Sequence, residues 1–455
     1  MKNDLTESER PGVASGLKYH AWLQCIECGE QYSLSRVIYR CERCDGLLSV
    51  EHDPEPIRLT GRERWKSLFE SRMASFEHPW SSGVWGKKEW VLPGIDDQHI
   101  TTLGEGRTPL LSVPAFAREL DLEYVGIKQC GISHTGSFKD LGMTVLVSHV
   151  RSLIASGTPI RAVACASTGD TSAALAAYAS AAGIPTVVFL PAGKISMAQL
   201  VQPIACGSLV LSLDTDFDGC MEIVRAITLD PSIYLANSMN PLRIEGQKTV
   251  SVELAQQLGW KVPDWVIIPG GNLGNVSALG QGFRLLRLAG LIDRYPRICV
   301  AQSENANPLY RSYRAGLGPL VPMQAQKTLA SAIQIGNPVS YPRAVRALKE
   351  FDGVVEQATE EELANAAARV DRFGLFNDPH TGVALAALIK LRAAGTIAAG
   401  ASVAVISTAH GLKFADSKAA YHEGRLDLEA KYKNAPVELP ANIEAVRAEL
   451  GRRLP

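Results

Sequence analysis

Short apolar runs recur along this chain, and the best-defined of them lead through loops of glycine and hydroxyl residues directly into helix-prone stretches. The clearest is WVII at 265–268, between Pro263 and Pro269. GGNLGN (270–275) follows, then an apolar spacing suited to a helix over 276–288, with Gly290 just beyond. A second run at 162–164 leads through CASTGDTS (165–172) into a helix over 173–182, and a third, VAVI at 403–406, leads into STAHGLK (407–413). Further strands are expected over 124–128, 186–190, 208–213 and 298–302, with helices over 197–204, 219–227 and 381–393 between them. Such alternation folds as α/β with largely parallel sheets, because parallel strands need crossover connections and the helices cover the sheet faces. Strand, glycine loop, then helix N-terminus is also an anion cradle: glycine lets backbone N–H groups approach a phosphate, and the helix dipole favours its charge. GGNLGN is neither GxGxxG nor a Walker loop, which disfavours dinucleotides and nucleoside triphosphates.

The stretch SHTGSFKDLGM (133–143) places Lys139 among small and hydroxyl residues, immediately before a helix-prone run over 141–153. Lysine is the side chain that forms a Schiff base with an aldehyde cofactor. The hydroxyls of Thr135 and Ser137 suit a nearby oxyanion. Taken alone, a lysine at a loop–helix junction is a solvated cation and GGNLGN is an ordinary tight turn. N-capping by Thr168, Asp170 or Thr171 likewise accounts for CASTGDTS as well as carboxylate binding does. The agreement of four motifs far apart in sequence outweighs each separate alternative.

Together these motifs resemble the threonine synthase family of pyridoxal-phosphate (PLP) enzymes, and the wording HTGSFKDLGM is closest to its plant-type branch. The resemblance covers most of 100–420. It implies an α/β chain of PLP fold type II, the tryptophan synthase β-like fold, with two parallel-sheet catalytic domains meeting at the cofactor. It implies that Lys139 carries PLP as an aldimine and moves protons, and that Gly271, Asn272, Leu273, Gly274 and Asn275 hold the cofactor phosphate. Thr408 would meet the pyridine nitrogen, and Asp170 would lie beside the phenolic oxygen. The wider family has Asn there; an ionised Asp repels a phenolate unless one of the two is protonated. Ser167, Thr168 and Thr171 would hold the substrate carboxylate. Thr108, in GEGRTPL (104–110), Thr135 and Ser137 would also face substrate, and Arg243 or Lys248, in NSMNPLRIEGQKT (237–249), would take its phosphate. His410 reads equally as a buried, satisfied histidine or as a catalytic group. Many bacterial and archaeal members carry Arg where this chain has Leu141 and Gln334, so the cations that bind phosphate must differ from theirs.

The reaction implied is O-phospho-L-homoserine plus water to L-threonine plus phosphate, the last step of threonine biosynthesis, by γ-elimination followed by β-addition of water. The same framework also serves β-elimination and β-replacement, as in threonine dehydratase or cysteate synthase. The resemblance further implies a homodimer and, from the plant-type branch, activation by S-adenosylmethionine. A remoter alternative is a non-catalytic binding protein built around the N-terminal cysteines.

Nine cysteines divide unevenly. Cys25, Cys28, Cys41 and Cys44 form two CxxC knuckles, the pattern of a zinc ribbon whose four thiolates suit structural Zn²⁺. Redox-active or unliganded thiols are the alternative. The other five are scattered, as suits free thiols in a reducing cytoplasm. A net charge of −1 argues against nucleic acid or an anionic membrane as partner. No apolar run reaches the roughly 18 residues that span a bilayer, and MKNDLTESERPG lacks the apolar core of a signal peptide. The expected organisation is a zinc-ribbon-like module over 1–60, with short strands at 31–34 and 37–39, and a connecting arm over 61–104. A catalytic core over 105–425 follows, with a smaller domain inserted at about 145–240, and then a helical tail over 426–455.

Overall fold

The computed structural model describes residues 16–167, 169–192, 197–215 and 217–454. Three sheets organise them. The first is antiparallel, with strands β1 (Ala21–Cys25), β2 (Gln31–Tyr32) and β3 (Leu48–His52) in the order β2-β1-β3. The other two draw on β4 (Leu110–Ser112), β5 (Tyr124–Gln129), β6 (Ala162–Ala166), β7 (Thr186–Pro191), β8 (Leu209–Leu213), β9 (Ile233–Leu235), β10 (Trp265–Pro269), β11 (Arg297–Ser303), β12 (Val354–Ala358) and β13 (Ser402–Ser407). The larger sheet runs β12-β11-β10-β13-β5-β4, parallel throughout apart from the edge strand β4. The smaller runs β8-β7-β6-β9, all parallel. Every residue of β10 is buried, as a strand covered on both faces requires.

Five strands were not foreseen: β1 and β3 of the first sheet, the edge strand β4, β9, and β12; the signal is short in β4 and β9, of three residues each, and in β12 (VVEQA), where two aliphatic positions precede polar ones. The expected strand at 37–39 is absent. There the chain docks on the smaller sheet instead. The Leu235 N–H donates to the Tyr39 hydroxyl (2.7 Å) and the Tyr39 and Tyr234 rings meet edge-on, so tertiary contact replaces ladder pairing. In the segment 61–104, Trp65, Phe69 and Trp90 bury together with ring centroids 4.9–5.3 Å apart. The helix Ile443–Arg453 near the C-terminus, capped by Asn442, buries none of its residues.

The helix Lys139–Ala155 is the central element, with Val145, Leu146, Val147 and Val150 wholly buried. It meets the short helix Leu242–Gln247 at two glycines. A Cβ on Gly142 would come within 2.7 Å of the Arg243 carbonyl, and one on Gly246 would collide with the Leu141 carbonyl. The first sheet is fastened to both sides of this core. His52 bonds Glu245 (2.7 Å), Gln281 donates to Ser49 (3.1 Å), and Arg343 donates to the Leu48 carbonyl.

Candidate active site

Lys139 is the first residue of its helix and follows a loop zipped to the end of β13. The Phe138 N–H donates to the Thr408 carbonyl (2.9 Å), the His410 N–H donates to the Gly136 carbonyl (2.9 Å), and Ser137 pairs with Ala409. Asp140 ties the loop from within, accepting from the Ser133 hydroxyl (2.8 Å), the Thr135 N–H (2.7 Å) and the Thr135 hydroxyl (2.5 Å). The Lys139 amine lies 4.2 Å from the Phe138 ring centroid. Burial pulls its ammonium down to about 7, the Arg243 charge acts in the same direction, and Asp170 opposes them. A large part of the amine is therefore neutral and nucleophilic near pH 7.

After β10 the chain turns through Leu273, which takes a left-handed conformation (φ 67°) as the N-cap of the helix Gly274–Leu288. The backbone N–H groups of Gly271, Asn272, Leu273, Gly274 and Asn275 find no acceptor among the described residues. Such unpaired donors at a helix start are what a phosphate requires. The Asn275 amide donates to the Pro269 carbonyl (2.8 Å), and Asn272 accepts from the Val339 and Ser340 N–H groups. Beside this loop lies a narrow cavity walled by Phe138, Ile268, Leu279 and Ile406, with Thr408 and Asn275 among its polar lining. Apolar side chains, a threonine hydroxyl, unpaired N–H groups at the helix start and a neutral amine are the donor set that suits PLP.

The loop after β6 supplies the other wall. Ser167 accepts from the N–H groups of Gly169, the N-cap of the helix Asp170–Ala181, and of Ser172 in its first turn (3.3 Å each), holding the loop against the helix start. Arg243 donates to the Thr171 hydroxyl (3.3 Å) and the Ala236 carbonyl (3.3 Å), while its Nε, also buried, has no partner among the described residues. Burial lowers the Arg243 guanidinium to about 10. An arginine held this way, with a donor unspent, is ready for an anion.

Other expected site residues lie in different surroundings. The Lys248 amine is engaged by Glu245 and by His52 (2.8 Å), so of the two candidate cations only Arg243 has a donor nitrogen without a partner among the described residues. The Thr135 hydroxyl is occupied by Asp140, and Ser137 is fully buried, accepting from the Lys139 N–H (3.4 Å). Thr108 is buried, and its carbonyl accepts from Lys128 (2.5 Å). Thr168 lies outside the described residues. His410 caps the turn Gly411–Phe414 through Nδ1 (3.2 Å). One residue that carried no expected role is central here: Lys413, whose amine reaches Asp170 (2.9 Å), the Thr135 carbonyl (2.9 Å) and Gln202 Oε1 (3.0 Å). Its place in STAHGLK, six residues beyond the end of β13, was the available signal.

Cys25, at the end of β1, and Cys28, Cys41 and Cys44, in the turns between the strands of the first sheet, present sulfur atoms all within 4.8 Å of one another. The shortest separations, 3.4 Å (Cys25–Cys44) and 3.6 Å (Cys28–Cys41), are far from a disulfide bond length and suit edges of a thiolate tetrahedron.

The family described as "Pyridoxal-phosphate dependent enzyme" matches residues 101–409. The chain is 54% identical over 420 residues to threonine synthase 2, chloroplastic, of Arabidopsis thaliana, covering 92% of this chain and 81% of that one. It is 38% identical over 430 residues to the threonine synthase of Methanosarcina acetivorans, covering 94% and 98%. Among solved structures it is similar to threonine synthase from Escherichia coli, with a TM-score of 0.66 and 22% identity over 95% of this chain and 99% of that one. That likeness carries the fold, and the expected fold type II architecture holds.

Proposed function

The chain belongs to the pyridoxal-phosphate dependent enzymes and, within them, to the threonine synthases, and on that premise we propose that it converts O-phospho-L-homoserine and water to L-threonine and phosphate with PLP held at Lys139. The observation that carries this reading is one juxtaposition: a largely neutral Lys139 amine under the charge of a buried Arg243 with an unspent donor, next to Phe138, which shares a cavity with Asn275 of the loop whose 271–275 N–H groups are unpaired.

In this reading Lys139 holds the cofactor covalently, the 271–275 backbone takes its phosphate, Thr408 meets its pyridine nitrogen, and Asp170 lies near its phenolic edge. When bound, PLP supplies an electron sink for charge developing beside the substrate's amino-bearing carbon. Lys139, released by the substrate amine, moves protons at Cα and Cβ. Ser167, Thr168, Thr171 and the first N–H groups of the helix Asp170–Ala181 hold the substrate carboxylate. Arg243 takes the substrate phosphate and orients it for departure from Cγ. The apolar walls keep water out until it adds at Cβ.

The finer organisation follows the same reading. Residues 1–60 form a module in which Cys25, Cys28, Cys41 and Cys44 hold structural Zn²⁺, 61–104 connect it to a core over 105–425 with a smaller domain at about 145–240, and 426–455 form a tail. The enzyme acts as a cytoplasmic homodimer without nucleic-acid partners, and S-adenosylmethionine activates it. No helix among the described residues is long and apolar enough to cross a membrane.

The test is a product assay on PLP-loaded protein given O-phospho-L-homoserine. Phosphate and threonine in equal amounts are expected. A visible cofactor band with neither product would redirect the search to serine, threonine and phosphoserine, and ammonia with a 2-oxoacid would identify a dehydratase.

A further inference from the structure

Lys413 lies in the turn Gly411–Phe414, which follows β13 of the larger sheet. Its partners belong elsewhere. Asp170 opens the helix after β6 of the smaller sheet, Gln202 lies on the helix Met197–Ala205 between β7 and β8, and Thr135 is in the loop that delivers Lys139. The amine thus makes three contacts of 2.9–3.0 Å, two to connections of the smaller sheet and one to the catalytic loop. Its stem runs over Gly136, where an added Cβ would come within 3.0 Å of Lys413 Cδ. Gly136 itself has φ +81°, a conformation that favours glycine, so loop and lysine fit one another.

The charges around this contact explain its use. Lys139 faces two charged groups, Arg243 from the helix Leu242–Gln247 and Asp170 from the helix Asp170–Ala181, and Asp170 is faced in turn by Lys413. An unpaired Asp170 carboxylate would stabilise the ammonium form of Lys139 and withdraw its lone pair. Beside the oxygen-rich edge of a bound cofactor it would also add a repulsive charge. Pairing with Lys413 offsets both effects, leaving Asp170 as the smallest of the influences on Lys139.

We propose that Lys413 is a positioning residue, a tether between the two parallel sheets that neutralises Asp170 and fixes the loop carrying Lys139. The proposal rests on the reading of Lys139 as the residue that holds PLP. It acts through Asp170 and Thr135, not through contact with the reacting atoms.

The experiment uses apoprotein of the wild type, Lys413→Met, Lys413→Arg, Asp170→Asn and the double variant Lys413→Met/Asp170→Asn. PLP is added across a pH series, and the visible absorbance of bound cofactor is followed. Methionine keeps the stem over Gly136, so the fold is retained while the charge is lost. Lys413→Met is expected to move the midpoint of cofactor attachment upward by about one pH unit, the scale of losing one partly buried charge contact. Lys413→Arg is expected to stay near the wild type. On the Asp170→Asn background, Lys413→Met should shift nothing further. A wild-type band with an unmoved midpoint in Lys413→Met would overturn the tether and leave the cofactor site standing. A shift that persists in full without the Asp170 charge would also overturn it. Absence of any band in the wild type would overturn the cofactor reading and this inference with it.

Discussion

Gly246 lies against the carbonyl of Leu141 with no room between them for a Cβ. This contact is what lets the helix Leu242–Gln247 approach the helix Lys139–Ala155 closely enough for the Arg243 charge to act on Lys139. Two helices that meet through side chains keep their axes roughly 8–10 Å apart. Glycines at Gly142 and Gly246 allow carbonyl-to-Cα approach at this crossing.

Gly246→Ala should therefore push the helices apart. Overpacking of a rigid core costs about 1–3 kcal/mol, and here the obstacle is backbone. A fall in melting temperature together with a loss of turnover out of proportion to it is expected. Unchanged activity would show that the distance between the helices does not set the site.

Arg243→Ala should lower kcat/KM on the phosphorylated substrate by about 100-fold or more, the scale of a charge-assisted contact to phosphate. Lys248→Met should act differently. It removes the partner of Glu245 and His52, so thermal stability should fall while the KM of the surviving fraction stays near the wild-type value. Steady-state kinetics beside melting curves separates the two.

His149 is buried on the central helix, and burial pulls its imidazole down to about 4, against a hydrogen bond it donates to the Leu34 backbone, which works the other way. The unfolded chain titrates near 6.5. Between the two values the unfolded state binds the extra proton, so stability is lost as pH falls from about 6.5 to about 4, by up to roughly 3 kcal/mol. His149→Gln should flatten the acid side of the stability curve measured by denaturant melts across this range.

One equivalent of Zn²⁺ per chain is expected by metal analysis, lost in Cys28→Ser. Because β3 holds the Arg343, Gln281 and Glu245 side chains, metal loss should also lower the melting temperature of the catalytic core. A metal-free protein with an unchanged melt would show that the thiols are not structural ligands.

The backbone of the site was legible in the sequence because it is local. GGNLGN after WVII places unpaired N–H groups at a helix start within ten residues, and SHTGSFKD sets Lys139 at another. Thr408 follows VAVIS in the same way. Side-chain use was less legible. Thr135 and Ser137 look available in sequence, yet Asp140, a few residues on, takes the Thr135 hydroxyl, and Ser137 is buried. The strand expected at 37–39 gave way because Tyr39 meets Tyr234 and Leu235, nearly 200 positions away.

What the sequence by itself determined is the set of strand–loop–helix junctions, the lysine among them and the pairing of the cysteine knuckles, since each depends on backbone conformation over a few neighbours. Which cation faces the site was decided only by tertiary structure. Arg243 and Lys248 are five residues apart, roughly one and a half helical turns, so they point to different neighbourhoods. One meets Thr171 with a donor unspent, and the other closes an ion pair with Glu245 and His52. Lys413 acquires its role from Asp170 and Gln202, more than 200 residues earlier. Charge pairing acts through space and not along the chain, so those assignments exist only once the sheets have come together.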